Sequence, residues 1–287
     1  MATIKPPTTY NQQIEKLRSR GCIIADEAQA VEILSKVNYY RLTAYFLPFK
    51  QADETYSAGT DFNDVYQIYE FDRKIRNLLF AAIEEIEVNL RSTLAYYHAQ
   101  KYGALGYLDK KNYYPKHDHT KLLDRIDVEK KKRIKEPFVQ HHITKYGGIF
   151  PIWVVIELFT FTTLSHFYAD LQVDDQKHIA RTFYNTHNKT LRSWLRCSTD
   201  LRNFCAHFGR LYFRIFTSIP DGIPELDKSN HRSLFAVIMV LRNLYADPTK
   251  WNKEIYMQIC SLIKEYSKSI RLSHIGFPTD WEIKLKR

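Results

Sequence analysis

Glycine and proline are scarce, nine and ten in 287 residues. A many-stranded β fold needs a tight turn every few residues, so this shortage argues against one and leaves long helices. Cysteine is sparse too. Cys22, Cys197, Cys205 and Cys260 form no CxxC pair and fall at no metal-ligand spacing. Free thiols, mostly buried in a reducing compartment, are expected instead. The most apolar stretch, residues 149–164, is interrupted by Pro151, Glu157 and several threonines, and is too short and polar to span a bilayer. The opening MATIKPPTTYNQQ lacks the apolar core of a signal peptide. A soluble, cytoplasmic chain with no membrane partner is expected. The P-loop, GxGxxG, HExxH and GxSxG signatures are all missing. His117-Asp118-His119 and His141-His142 have no further ligands at metal spacing and read as solvated loop, so neither a metal nor a cofactor is expected.

What the chain does have is charge and aromatic rings. The formal charge is +10 and the pI about 9.2, with 20 Tyr and 17 Phe. A basic excess suits a polyanionic partner. Residues 110–145 carry eleven Lys and Arg against five Asp and Glu, more than half of the excess. Within them Tyr113 and Tyr114 lie beside Lys110, Lys111 and Lys116, a grouping that suits base stacking and phosphate contact. Lys131, Lys132 and Arg133 extend it. A solvated charged helix and loop would read the same way.

The periodicity is helical throughout, so the fold class expected is all-α. Residues 10–20 form a helix stopped by Gly21, and Asp26 caps a second over 27–40. Residues 50–61 read as a linker. From Phe62 to Tyr102, apolar residues such as Val65, Ile68, Ile75, Leu79, Ile86 and Leu90 recur at three- and four-residue spacing. That pattern predicts one very long helix or two in line. Further helices are expected at 121–135, 153–168, 174–183, 191–212, 231–245 and 250–270. The division implied is a small N-terminal helical unit (1–50), a helical core (61–216) and C-terminal helices packed on that core (217–287).

The candidate chemistry lies in Leu201-Arg202-Asn203-Phe204-Cys205-Ala206-His207. The Arg-to-His spacing identifies nothing by itself, since it has counterparts at Arg91…His98 and Arg181…His187. Context separates them: Arg202, Asn203 and His207 are polar residues set among Trp194, Leu195, Leu201, Phe204, Cys205, Ala206, Phe208 and Leu211. Burying an unpaired Arg or His costs several kcal/mol, so such groups border a cleft or join a buried polar network. Histidine, ordinarily near pKa 6.5, exchanges protons at neutral pH, and an Arg stabilises charge building on a phosphate. Together they could drive attack of an RNA 2′-OH without a metal, leaving a 2′,3′-cyclic phosphate and a 5′-OH. One His per chain is thin for both acid and base, so two chains facing each other would supply the pair.

Several blocks, in order, carry a family likeness. They include Val37-Asn38-Tyr39-Tyr40-Arg41-Leu42…Tyr45, then Tyr69…Phe71-Asp72…Ile75-Arg76, and Glu84…Glu87…Leu90-Arg91. Trp153…Glu157…Phe161…Leu164-Ser165…Tyr168 follows. Then come Arg202-Asn203…Cys205-Ala206-His207…Arg210-Leu211 and Gly276-Phe277-Pro278…Asp280-Trp281. In these the sequence resembles the Abi-like (abortive infection, AbiD/AbiF type) bacterial phage-resistance proteins. The resemblance implies a HEPN-like helical core whose Arg-polar-x-x-x-His motif is a ribonuclease centre at a dimer interface. Arg202 and His207 would then be catalytic and Asn203 supporting, with Arg210 close to the RNA. Glu87 and Arg91 would support the same cleft, or simply pair along one helix face. The partners implied are RNA (as substrate and as a regulatory small RNA), a second copy of the chain, and an antitoxin. Two other readings stay open: an RNA-binding scaffold that does not cut, and a DNA-binding regulator using residues 10–45 as a helix-turn-helix.

Overall fold

The computed structural model describes residues 6–287, and among them there are helices and isolated bridges but no sheet. The fold is all-α, as the turn-former shortage required. Two short helices, α1 (Tyr10–Arg18) and α2 (Glu27–Lys36), open the chain. Thr9 and Gln12 form a capping box on α1, and Asp26 caps α2 as predicted. The helix expected over 27–40 breaks at Val37, because the Asn38 side chain caps a separate turn, α3 (Tyr39–Thr43).

Helix α4 (Phe62–Tyr102) is a single rod of 41 residues, about 60 Å at 1.5 Å per residue. Asp61 caps its first turn through the amides of Asn63 and Asp64. No glycine or proline interrupts it, and Gly103, at φ +76°, ends it. Packed on this rod or on each other are α5 (His119–Lys132), α6 (Pro137–Tyr146), α7 (Ile152–Val155), α8 (Phe161–Asp170), α9 (Val173–Tyr184) and α10 (Asn188–Ala206). The chain closes with α11 (Leu234–Leu244), α12 (Pro248–Lys250), α13 (Met257–Glu265) and α14 (Trp281–Leu285). Every residue from 234 to 241 is buried, so α11 is a core helix, apolar all round and pressed between α4 and α10.

Other expected helices are also shorter than their patterns: that over 231–245 begins at Leu234, and that over 250–270 ends at Glu265 after a π-helical stretch over Trp251–Tyr256. Residues 153–168 divide into α7 and α8, because Thr160 caps a fresh start with its hydroxyl on the Thr163 amide. The helix expected over 191–212 stops at Ala206, for reasons that belong to the site below. No described helix is long and apolar enough to cross a membrane. Cys22, Cys197 and Cys205 are buried and Cys260 half-buried, all four free. Burial pushes the thiols of Cys197 and Cys205 up to about 12, away from reactivity.

Aromatic and histidine rings lock the far end of α4. His117, expected in a solvated loop, is buried and stacks on Tyr113 at 4.5 Å, with Nδ1 3.0 Å from Asp170. Asp175 on α9 accepts from Tyr97 and Tyr102 of α4, each at 2.6 Å, and from Lys101. Burial raises that carboxyl, but the Lys101, Tyr102 and Tyr97 donors outweigh it and hold Asp175 below its ordinary value. His98 is 0% exposed among Tyr102, Tyr113 and Phe167, and neither ring nitrogen has a partner.

Burial pulls the His98 imidazole down to about 4, against about 6.5 for a free histidine. Between those values the unfolded chain binds a proton that the folded chain refuses, so stability is lost as pH falls through the window. Urea unfolding at pH 7 and pH 4 should therefore show His98→Phe losing less stability than the parent, by roughly 3 kcal/mol. Parallel losses in both proteins would refute a neutral buried imidazole.

Candidate active site

Helix α10 packs against α4, α8, α9 and α11, and its last two turns carry the predicted trio. Arg202 is half-buried, and its Nε is enclosed without a hydrogen-bond partner. Asn203 lines a cleft of about 450 Å³ between α8 and α10. His207 is exposed at the C-cap, where the helix ends. Its position is set by the turn that follows. Phe208 N–H donates to Cys205 O at 3.2 Å and Gly209 N–H to Phe204 O at 2.7 Å, the paired bonds of a Schellman ending. That ending needs a left-handed residue, which is normally glycine. Here it is Phe208, at φ +55° and 66% exposed, a conformation costing about 1–3 kcal/mol. Gly209 is tightly placed: a Cβ would lie 3.0 Å from the Phe204 ring and 3.2 Å from its carbonyl, so Phe204 would have to give by a few tenths of an ångström.

The strained turn is held from below. Arg41 donates to Phe208 O, and Arg76 Nη1 donates to Gly209 O at 3.1 Å. Arg76 also donates to Asp72 Oδ2 at 2.7 Å, as does the Tyr45 hydroxyl at 2.7 Å. The other oxygen of Asp72 accepts the amides of Leu211 at 2.9 Å and Tyr212 at 2.6 Å. Asp72 is 0% exposed with four donors satisfied. Burial pushes its carboxyl up, while Tyr45, Arg76 and the two amides pull it back. Asp72, Arg76, Tyr45 and Arg41 had no role assigned by sequence reading. Their signal was an Asp and an Arg four residues apart on an apolar stretch of α4, within the blocks of family likeness.

The surroundings are basic. Arg41, Arg73 and Arg76 line a cleft of about 360 Å³ with Tyr69, Asn77 and Phe208. Arg210 donates to Tyr212 O at 3.0 Å, and Arg214 stacks 4.0 Å over the Phe204 ring. Burial lowers both guanidiniums, and Arg214 lowers Arg210 further, a crowding of like charge that an incoming anion would relieve.

The other expected residues lie apart from this turn. Lys110, Lys111 and Lys116 are exposed between α4 and α5, but Tyr113 is 1% exposed and donates to Tyr107 O. A ring so enclosed cannot stack on a base, and Tyr114, at 39%, is the exposed one of the pair. Lys131 is exposed, whereas Lys132 pairs with Glu129 and Arg133 donates to Glu157 O, anchoring the end of α5. Glu87 and Arg91 pair with each other, and Arg91 donates to Phe159 O at 2.8 Å, tying α4 to the α7–α8 junction. They line a separate cavity of about 230 Å³ with Phe80, Ile83, Glu84 and Val88. Among the described residues, no three His, Cys, Asp or Glu side chains converge as ligands for a metal.

Residues 32–213, more than half of the chain, match the family described as Abi-like protein. The chain belongs to that family. The matched span holds Arg41, Asp72, Arg76 and the Arg202–His207 segment together, so the turn and its clamp both lie inside it. Membership implies a part in abortive infection and phage defence. No curated protein and no solved structure matches the chain.

Asp72→Ala in this Abi-like protein should strand Arg76 and lower stability by about 3–5 kcal/mol in urea unfolding. Phe208→Gly should instead raise stability by about 1 kcal/mol, since glycine accepts the left-handed position. A destabilised Phe208→Gly would mean that the exposed ring contributes more than the turn costs.

Proposed function

We propose that this Abi-like protein is a metal-independent endoribonuclease of the HEPN kind acting in phage defence, with His207, Arg202 and Asn203 as its active residues. One observation carries the reading. An exposed imidazole sits on a strained but clamped turn, five residues after a half-buried arginine whose enclosed Nε has no partner among the described residues. An unpaired buried donor is costly to keep, and a phosphate oxygen would satisfy it.

In the proposed reaction the imidazole of His207 takes the proton of an RNA 2′-OH. The oxygen attacks the adjacent phosphorus, the bond to O5′ breaks, and the leaving oxygen receives a proton. The products are a 2′,3′-cyclic phosphate and a 5′-OH. Arg202 balances the charge on the phosphorane, and Asn203 orients the substrate from the cleft. A second copy of the chain would supply the second histidine. Phe208, Phe213 and Ile215 are exposed just after His207, at 66%, 43% and 76%, an apolar fringe suited to such pairing. DNA, lacking the 2′-OH, would not react.

Purified protein in EDTA should cut single-stranded RNA, leave matched single-stranded DNA intact, and yield cyclic phosphate ends. His207→Ala and Arg202→Ala should each lower the rate at least a hundredfold while still binding RNA. Folded, RNA-free protein that binds RNA yet never cuts it would favour the scaffold reading. Ile215→Asp should lower both the dimer fraction, read by sedimentation, and the rate; a fully active monomer would remove the second histidine from the scheme.

A further inference from the structure

Helix α8 turns its polar face outward between two clefts. One, of about 310 Å³, lies between α5 and α8 and includes Lys116, Lys121 and Arg125. The other, of about 450 Å³, lies between α8 and α10 and includes Arg192 and Arg196. His166 of α8 lines both, so the two clefts meet at that ring.

The charge in these clefts is unspent. None of the five cations makes an ion pair among the described residues, although Arg73, Arg76, Arg91, Lys101, Lys132 and Lys250 all do. Three carboxylates line the same clefts, each with a partner of its own. Asp118 caps α5 through the Lys121 amide, Asp170 holds His117, and Asp200 accepts from Thr217 and Ser218. Along α8 the hydroxyls of Thr162 and Ser165 and the exposed ring of His166 have no hydrogen-bond partner among the described residues. Arg192, Arg196, Thr199 and Asn203 follow one another at spacings of four, three and four residues, so they share one face of α10. The run from Arg192 to Asn203 is about 16 Å along the axis, and His207 lies one further turn on.

We infer that this trough carries a single strand of RNA across α8 and along α10 to His207. The inference rests on the ribonuclease reading for the strand's destination. A concave path between neighbouring helices admits one strand and keeps a flat bilayer away from its floor. Free hydroxyls there suit the 2′-OH, which both donates and accepts. The lysines and arginines on both walls would contact successive phosphates, independent of sequence.

The test is fluorescence anisotropy of a labelled single-stranded RNA on full-length His207→Ala protein in EDTA, between 50 and 200 mM salt. Two pairs, Arg192→Glu with Arg196→Glu and Lys121→Glu with Arg125→Glu, are compared with a control pair on exposed positions elsewhere, Lys253→Glu with Lys264→Glu. Circular dichroism and Tm check that each variant folds. Each trough pair should weaken binding about tenfold or more and reduce the salt slope by about 1.4, at 0.7 per lost phosphate contact. Affinity and slope equal to the control pair's would overturn the inference. So would competition by polyglutamate or anionic vesicles as strong as by RNA, which would give the trough to an acidic protein or a lipid surface. Cleavage is measured separately with His207 intact, on the parent and on each trough pair. Binding that depends on the trough without any cleavage would sink the ribonuclease and keep the track; cleavage indifferent to the trough would do the reverse.

Discussion

The buried carboxylate of Asp72 is the constraint on which the rest of the site depends. Its two oxygens collect a hydroxyl from the N-terminal unit, a guanidinium from its own helix and two amides from the chain beyond α10. A buried anion is tolerable only when every lone pair is answered, and here the answers come from three parts of the chain at once. The N-terminal unit, the long rod and the segment after His207 are thereby fixed to one another. Arg76 passes the constraint on by gripping the carbonyl of Gly209.

That grip explains how a strained turn survives. A helix ending on an exposed phenylalanine in the left-handed region would ordinarily relax or recruit glycine. Carbonyl contacts from Arg41 and Arg76 on either side of the Phe208–Gly209 peptide hold it instead. His207 stands exposed at the C-cap before that clamped turn, while Arg202, a turn and a half earlier, keeps an enclosed donor unused. The Abi-like protein thus concentrates strain, unpaired polarity and basic charge at one helix end, the combination expected where a site makes demands that folding alone does not.

Much of the architecture was legible because helical periodicity is a local property. Asp26, Asp61 and Gly103 mark helix ends by their own chemistry, and the apolar spacing from Val65 to Leu94 reports a rod without knowledge of its neighbours. Where the pattern misled, tertiary bonds had overruled it. The apolar run around 153–168 reads as one helix, but Thr160 restarts it and Arg91 holds the intervening Phe159 carbonyl. Tyr113 looked like an exposed ring among lysines, whereas the histidines beside it in sequence close over it.

By itself, the sequence determined the helical class, the long rod and the basic balance. Each follows from residue type and short-range spacing. Only the tertiary structure decided that α10 stops at Ala206, that Asp72 and Arg76 govern the turn beyond it, and which cations stay unpaired. Asp72 and Leu211 are 139 residues apart, and the hydrogen bond from the Leu211 amide to that carboxylate depends on distance in space rather than along the chain. No local rule could have joined them, and that contact fixes the chain just beyond the turn that follows His207.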